Sequence, residues 1–261
     1  MAIYKTEGII LKHYNLREAD RILTIYTKDY GKISAVAKGV RRSRSKLRGA
    51  TQPLTYADLV LYQGKSMDTV TQCEIKEMFV ALREDLYRWA YAVYMVELLD
   101  AMVPERQPQE RVFVRFLTAL HLVATLEEPE TGALFFTVDL LGLLGYQPVL
   151  HRCASCHGSP KQEGGWVLSG SLGGLLCPDC APLDPQGYRL AGGEIAVWRR
   201  LLELEIRLLP RLKISPILRK RLFQSLGYYL RYQLERRLKS VAFLQHLSLL
   251  EGDKKNPPKE N

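Results

Sequence analysis

From Tyr4 to about Met78, apolar and polar residues alternate with a period of two, and turn-forming residues interrupt the pattern every few positions. Successive side chains of a strand point to opposite faces, so this rhythm predicts strands at Glu7–Tyr14, Arg21–Thr27, Lys32–Gly39, Leu54–Tyr62 and Asp68–Met78. Between them lie the turn-rich segments Asn15–Asp20, Asp29–Gly31, Arg41–Pro53 and Gln63–Ser66. The run Ile22-Leu23-Thr24-Ile25-Tyr26 carries the β-branched and aromatic residues of a half-buried strand. Five short strands in so few residues fit a small barrel, and by fold analogy a five-stranded barrel that binds nucleic-acid strands is the OB-fold.

After Met78 the apolar positions recur at helical spacing. Leu86, Trp89, Ala90, Val93, Val96 and Leu99 share one face of a helix expected over Leu82–Met102 and stopped by Pro104. A second helix is expected from near Pro108 to Leu126, and a third from near Pro129 to Gly145, where glycine suits a left-handed cap. Two more are expected at Glu194–Leu209 and Pro216–Leu247, the latter with Ser215 as N-cap. The predicted class is therefore α+β and multidomain. Residues 1–80 form the barrel, residues 81–145 and 191–250 a helical domain, residues 146–190 a Gly- and Pro-rich insertion, and residues 251–261 a polar tail expected to be disordered.

The insertion carries the strongest chemical signal. Cys153 and Cys156 in HRCASCHG and Cys177 and Cys180 in LCPDC are two Cys-x-x-Cys pairs, a spacing that lets each turn of backbone aim two thiolates at one ion. One structural Zn2+ is the expected cofactor. Four thiolates leave no open position for water or substrate, so the metal would hold a module together rather than perform chemistry. Disulfides, a redox pair and haem attachment at Cys153–His157 are the other readings. The opening MAIYKTEGII lacks the features of a secretory leader, which favours a reducing, cytoplasmic setting over disulfides, and haem attachment leaves Cys177 and Cys180 without a role. His151 and His157 flank the site as exposed loop residues, and Cys73 reads as a strand residue.

The formal charge of +9 matters mainly for where it sits. Residues 1–80 hold 14 Lys/Arg against 8 Asp/Glu, residues 81–190 hold 8 against 13, and residues 191–261 hold 15 against 7. Two basic ends around an acidic middle suit a polyanion engaged by separate surfaces. The densest run is KGVRRSRSKLR, where Lys38, Arg41, Arg42, Arg44, Lys46 and Arg48 stand without an acid in the loop expected between the third and fourth strands. Such an arm would give strong, salt-sensitive and largely sequence-independent affinity for phosphates; the plainer alternative is a solvated charged loop. Tyr14, Tyr26, Tyr30, Tyr56 and Tyr62 interleave with these cations and could stack bases, although packing is the commoner task for any one of them. A second basic set runs from Arg199 to Lys239, spread over more than one helix face. No phosphate-cradling glycine loop, nucleophile elbow or HExxH motif is present, which favours binding over catalysis. No apolar run approaches the ~20 residues that cross a bilayer, so a soluble protein without a membrane partner is expected.

The run EGIILKHYNLREADRILTIYTKDYGKISAVAKGVRRSRSKLRGATQPLTYADLVLYQGK, the segment LLGLLGYQP, the two cysteine pairs and the closing YYLRYQLERRLKSVAFL together resemble the RecO family of bacterial DNA repair proteins, over about residues 1–250. The resemblance implies an N-terminal OB-fold, a helical domain and a zinc-finger-like insertion. It also implies binding of single- and double-stranded DNA, annealing of complementary strands without ATP, and mediation of recombination. The implied partners are RecR, the acidic and apolar C-terminal tail of the single-stranded-DNA-binding protein SSB and, indirectly, RecA. The metal ligands then fall on Cys153, Cys156, Cys177 and Cys180, and DNA contact on Lys38 to Arg48. Arg219, Lys220 and Arg221 are candidates for the tail or for DNA. Members without the cysteines exist, which again suggests a structural metal. An interaction adaptor that does not bind DNA and a metal-dependent nucleic-acid enzyme are the rival readings.

Overall fold

The alternating segment folds as five strands, β1 (Ile3–Leu16), β2 (Asp20–Thr27), β3 (Gly31–Ala37), β4 (Tyr56–Tyr62) and β5 (Asp68–Glu77). They close a barrel in the order β1-β2-β3-β5-β4, with every pairing antiparallel except β3 with β5. This is the expected OB-type barrel. β1 is longer than its alternation suggested because it pairs twice, with β4 over Ile3–Ile9 and with β2 over Gly8–Leu16, and its register shifts between Ile10 and Lys12. Where both pairings overlap the strand carries Gly8. A Cβ there would lie 2.7 Å from Leu59 Cδ1 and 2.9 Å from Ile25 Cγ2, so a side chain would force the barrel open. Ile10, Leu23, Ile25, Ile33, Leu59, Leu61 and Val70 fill the interior, each contributing about 1.5–3 kcal/mol by burial. Val40 and Leu47, from the loop between β3 and β4, join that core.

The computed structural model describes residues 2–159, 165–234, 237–244 and 247, so the tail expected over 251–261 lies outside the described residues. The chain divides into two units, Met1–Ala92 with Val96–Thr125, and Val93–Met95 with Leu126–Asn261. In the first, helices α2 (Val80–Glu84), α3 (Leu86–Met102) and α4 (Glu110–Thr125) accompany the barrel and the short α1 (Leu47–Ala50). The single helix expected over Leu82–Met102 is broken at Asp85, whose carboxylate accepts from Tyr87 N (2.8 Å) and Arg88 N (3.0 Å) and so starts a new helix. Lys12 (2.7 Å) and Lys32 (3.3 Å) from the barrel converge on Asp100 of α3. Burial pushes the Asp100 carboxyl up, but the two ammonium groups outweigh it and hold it below its ordinary value. Its stabilisation is therefore complete above the unfolded pKa of about 3.9 and is lost as pH falls through the lower, folded value. Asp100→Asn should lower stability by about 1–3 kcal/mol at neutral pH and flatten the acid limb of a denaturation series; an unchanged acid limb would refute this.

In the second unit, α5 (Pro129–Leu143) is buried along most of its length, with Thr137 hydrogen-bonded to Tyr94 (3.0 Å). α6 (Gly192–Glu203) and α7 (Pro216–Leu234) complete its helices, and Trp198 meets Tyr229 edge-on at 6.2 Å. The helix expected to reach Leu209 stops at Glu203 because Leu204 is extended, and a 3-10 turn, Ile206–Arg211, follows. The helix expected to reach Leu247 ends at Leu234; residues 237–238 are not helical and residues 239–244 are again. Between α5 and α6 a small sheet, β6 (Val167–Ser169), β7 (Gly174–Leu176) and β8 (Tyr188–Arg189), has the order β7-β6-β8.

Candidate nucleic-acid interface and metal centre

The basic loop leaves β3 at Ala37 and is fastened to the β1–β2 turn by main-chain contacts. Gly39 N donates to Asp20 Oδ1 (2.7 Å), Arg41 N to the Ala19 carbonyl (2.9 Å) and Arg41 Nη1 to the Arg17 carbonyl (3.0 Å). With Val40 and Leu47 in the core, the apolar residues anchor the loop and the cations point outward. Lys38, Arg41, Arg42, Arg44, Lys46 and Arg48 are all exposed, and among the described residues none is paired with a carboxylate. Of the five tyrosines, Tyr26 is fully buried beside Phe113, Tyr56 gives its hydroxyl to Glu7, and Tyr30 rests on Tyr4 at 4.3 Å. Tyr14, 58 % exposed with Lys12 near its face, is the ring best presented for stacking. Cys73 is a half-buried strand residue whose thiol is pushed up to about 11 by burial and then by Asp58.

Arg21 went unremarked in the sequence, yet it stands at this end of the barrel, opposite Asn15 and two residues before the core residue Leu23. The available signal was the alternation itself, since Arg21, Leu23 and Ile25 share a face and a cation opens an otherwise inward-facing series.

The four paired cysteines meet at one point. Their sulfurs all lie within 4.8 Å of one another, and Cys156 and Cys177 are 3.7 Å apart. A tetrahedron of thiolates with Zn–S bonds of about 2.3 Å has edges of about 3.8 Å, so the donor set and its spacing fit zinc. Each pair sits on a turn. His157 N bonds the Cys153 carbonyl (3.1 Å), Ala181 N bonds that of Cys177 (2.8 Å), and β7 delivers Cys177 directly. Burial raises the Cys153 thiol, but amide donors from Cys177, Cys156 and Ser155 outweigh it and bring it down to about 6. The sulfur hydrogen bond with Cys177 pushes Cys180 up to about 12. A cation at the centre would supply the charge that lets all four ionise together. His151 and His157 are exposed and outside the cluster.

Below the cysteines, Asp184 accepts from Ser169 Oγ (2.6 Å), Ser171 Oγ (3.4 Å) and the Tyr228 hydroxyl (3.5 Å), joining the small sheet to α7. Tyr188, Phe223, Tyr228, Leu230 and Leu234 line a groove of about 460 Å³, edged by Arg231, Arg237 and Lys239. The triplet Arg219-Lys220-Arg221 is not gathered there as one basic patch. Arg219 is buried against Glu128 and Glu130 and donates to the Ile214 carbonyl, and Arg221 holds the buried Glu194 at 2.8 Å, so of the three only Lys220 is exposed without an ion pair among the described residues. Helical spacing on α7 could not reveal this, because the acids come from α5, its flank and α6.

No described helix is long and apolar enough to cross a membrane. Two family models match the chain, "Recombination protein O N terminal" over residues 1–79 and "Recombination protein O C terminal" over residues 83–242. The DNA repair protein RecO of Symbiobacterium thermophilum is 40% identical over 249 residues, covering 95% of this chain and 98% of the relative. That of Moorella thermoacetica is 38% identical over 258 residues, covering 98% and 96%, and that of Pelotomaculum thermopropionicum 39% over 244 residues, covering 94% of each.

Proposed function

The chain belongs to the RecO family of DNA repair proteins, and from that premise we propose that it is a recombination mediator that binds single- and double-stranded DNA and anneals complementary strands without ATP. The single observation that carries DNA binding is an OB-type barrel presenting, on one anchored loop, six exposed cations that no carboxylate among the described residues pairs. Phosphates neutralised there let two strands approach against their mutual repulsion, after which base pairing supplies the free energy, so no nucleotide hydrolysis is required. Residues 1–80 take the DNA, with Lys38, Arg41, Arg42, Arg44, Lys46 and Arg48 as contacts. Residues 81–145 and 191–250 serve protein partners. Residues 146–190 are held by one Zn2+ on Cys153, Cys156, Cys177 and Cys180, and that ion supplies structure rather than chemistry.

RecR and the tail of SSB are the proposed partners, with RecA loading on SSB-coated DNA as the outcome, and the cytoplasm as the setting. The groove beside α7 suits an acidic, apolar tail better than Arg219 or Arg221 does, because its lining combines apolar side chains with Arg231, Arg237 and Lys239. The test is annealing of two labelled complementary oligonucleotides, one precoated with SSB, without ATP and across a salt series. Acceleration that fades with salt is the expected result. Intact SSB binding with no acceleration would reduce the protein to an adaptor, and strand cleavage with divalent cations would make it an enzyme.

A further inference from the structure

The basic loop is a chain of turns hung from its first residues. The Gly39 carbonyl accepts from Arg42 N (3.2 Å), that of Arg42 from Ser45 N (3.1 Å) and that of Ser45 from Arg48 N (3.3 Å), so each turn is built on the one before it. Whatever fixes Gly39 therefore aims Arg42, Arg44, Lys46 and Arg48. Gly39 itself stands at φ +64°, a left-handed conformation, where the chain bends away from β3. Asp20, the first residue of β2, holds that bend: its Oδ1 accepts from Gly39 N at 2.7 Å. The Ala19 and Arg17 carbonyls hold Arg41, the residue after next, and leave the Gly39 amide to the carboxylate. On charge alone an acid here is a disadvantage. It stands beside six cations that face phosphate and repels the same phosphates, yet among the described residues it is ion-paired with none of them.

We propose that Asp20 is a positioning residue: its carboxylate sets the path of the basic loop and, through the loop, the DNA contacts. This rests on the DNA-binding reading above and assigns the β1–β2 turn a part in it. An ionised carboxylate makes a stronger bond to an amide than a neutral acceptor does, and Gly39 is half-buried, so the bond is partly shielded from competing water. A loop fixed in this way meets its conformational cost when the protein folds rather than when it binds, which favours the complex. The repulsion between one acid and the bound strand is the smaller effect, because that acid is turned to the loop's main chain.

Asp20→Asn and Asp20→Ala lose the same charge but differ in the acceptor, so comparing them separates position from electrostatics. If charge alone mattered, both would bind a single-stranded oligonucleotide more tightly than the parent, and equally so. With Asp20 as the loop's anchor, Asp20→Asn keeps an oxygen for Gly39 N and should bind at least as tightly as the parent, while Asp20→Ala should bind about fivefold more weakly than Asp20→Asn. Gly39→Ala retains every charge and has room for its Cβ, whose nearest neighbour would be Arg42 Cδ at 3.8 Å, but alanine resists the left-handed φ; it should bind about fivefold more weakly than the parent. The loop itself is read by the initial rate of tryptic cleavage after Arg41, Arg42 and Arg44, which should rise severalfold in the two alanine variants and not in Asp20→Asn. All measurements are made well below the melting transitions. Equal affinities of Asp20→Ala and Asp20→Asn overturn the proposal and leave the DNA reading standing, as does parental affinity of Gly39→Ala should Asp20→Ala fail to fold. Faster loop cleavage confined to the alanine variants, with no oligonucleotide bound by any of the proteins, would keep Asp20 as the loop's anchor and overturn the DNA reading instead.

Discussion

Charge reversal of the loop, Arg41→Glu, Arg42→Glu and Arg44→Glu together, is expected to lower affinity for single-stranded DNA by about 10²-fold or more at physiological salt, and by a similar factor for any sequence. All three side chains are exposed and none is ion-paired among the described residues, so their charge is available to phosphate and their removal leaves no described buried acid unmatched. The internal attachment lost is the contact of Arg41 with the Arg17 carbonyl, worth a few tenths of a kcal/mol at most for an exposed bond. Stability should thus stay nearly constant while binding collapses. The diagnostic quantity is the dependence of log K on log salt, because each lost phosphate contact removes about 0.7 from its slope on a single strand; three contacts predict a decrease of about 2. An unchanged slope with weakened binding would mean the substitutions act through loop conformation, and the interface would then have to be sought elsewhere on the barrel.

Cys153→Ser is expected to produce the opposite pattern, loss of structure with retained DNA binding. Cys153 is fully buried and its sulfur takes the Cys177 amide at 3.4 Å, so it is the cysteine on which the other turn is built. A serine hydroxyl does not ionise near neutral pH and cannot replace a thiolate on zinc, so metal content should fall from one equivalent to none. Local stability should fall by roughly several kcal/mol, since binding free energy in such sites is folding free energy. Proteolytic cleavage should then concentrate in residues 146–190, and oligonucleotide affinity should stay within about twofold of the parent. Full metal retention would remove Cys153 from the ligand set. A parallel loss of DNA affinity would contradict the division of labour between barrel and insertion.

Much of this was legible in the chain because the relevant forces are local. Alternation set the five strands, and Cys-x-x-Cys spacing announced a site whose two turns are each a few residues long. What was not legible depended on partners distant in sequence. β1 runs to fourteen residues because it serves two neighbours. Arg219 reads as a free cation on α7 until Glu128 and Glu130 arrive from the α5 end. Asp85 fell inside the one helix expected over Leu82–Met102, where the apolar spacing masked it; capping of two amides prevailed over periodicity. The two shielded nitrogens of Arg21 could not be read at all, since they are marked only by the lack of an acceptor among the described residues.

The attachment of the cysteine-bearing sheet to α7 has a consequence for descent. Asp184, with Ser169, Ser171 and Tyr228, fixes the sheet through bonds that involve no sulfur, and Gly170 lies so near the Tyr232 ring that an added Cβ would come within 2.1 Å of it. Selection can therefore act on the metal knuckles and on this clasp separately. A lineage can lose its thiolates one after another and still inherit a docked module, whereas drift at position 184 or 170 would undock it even with every cysteine in place.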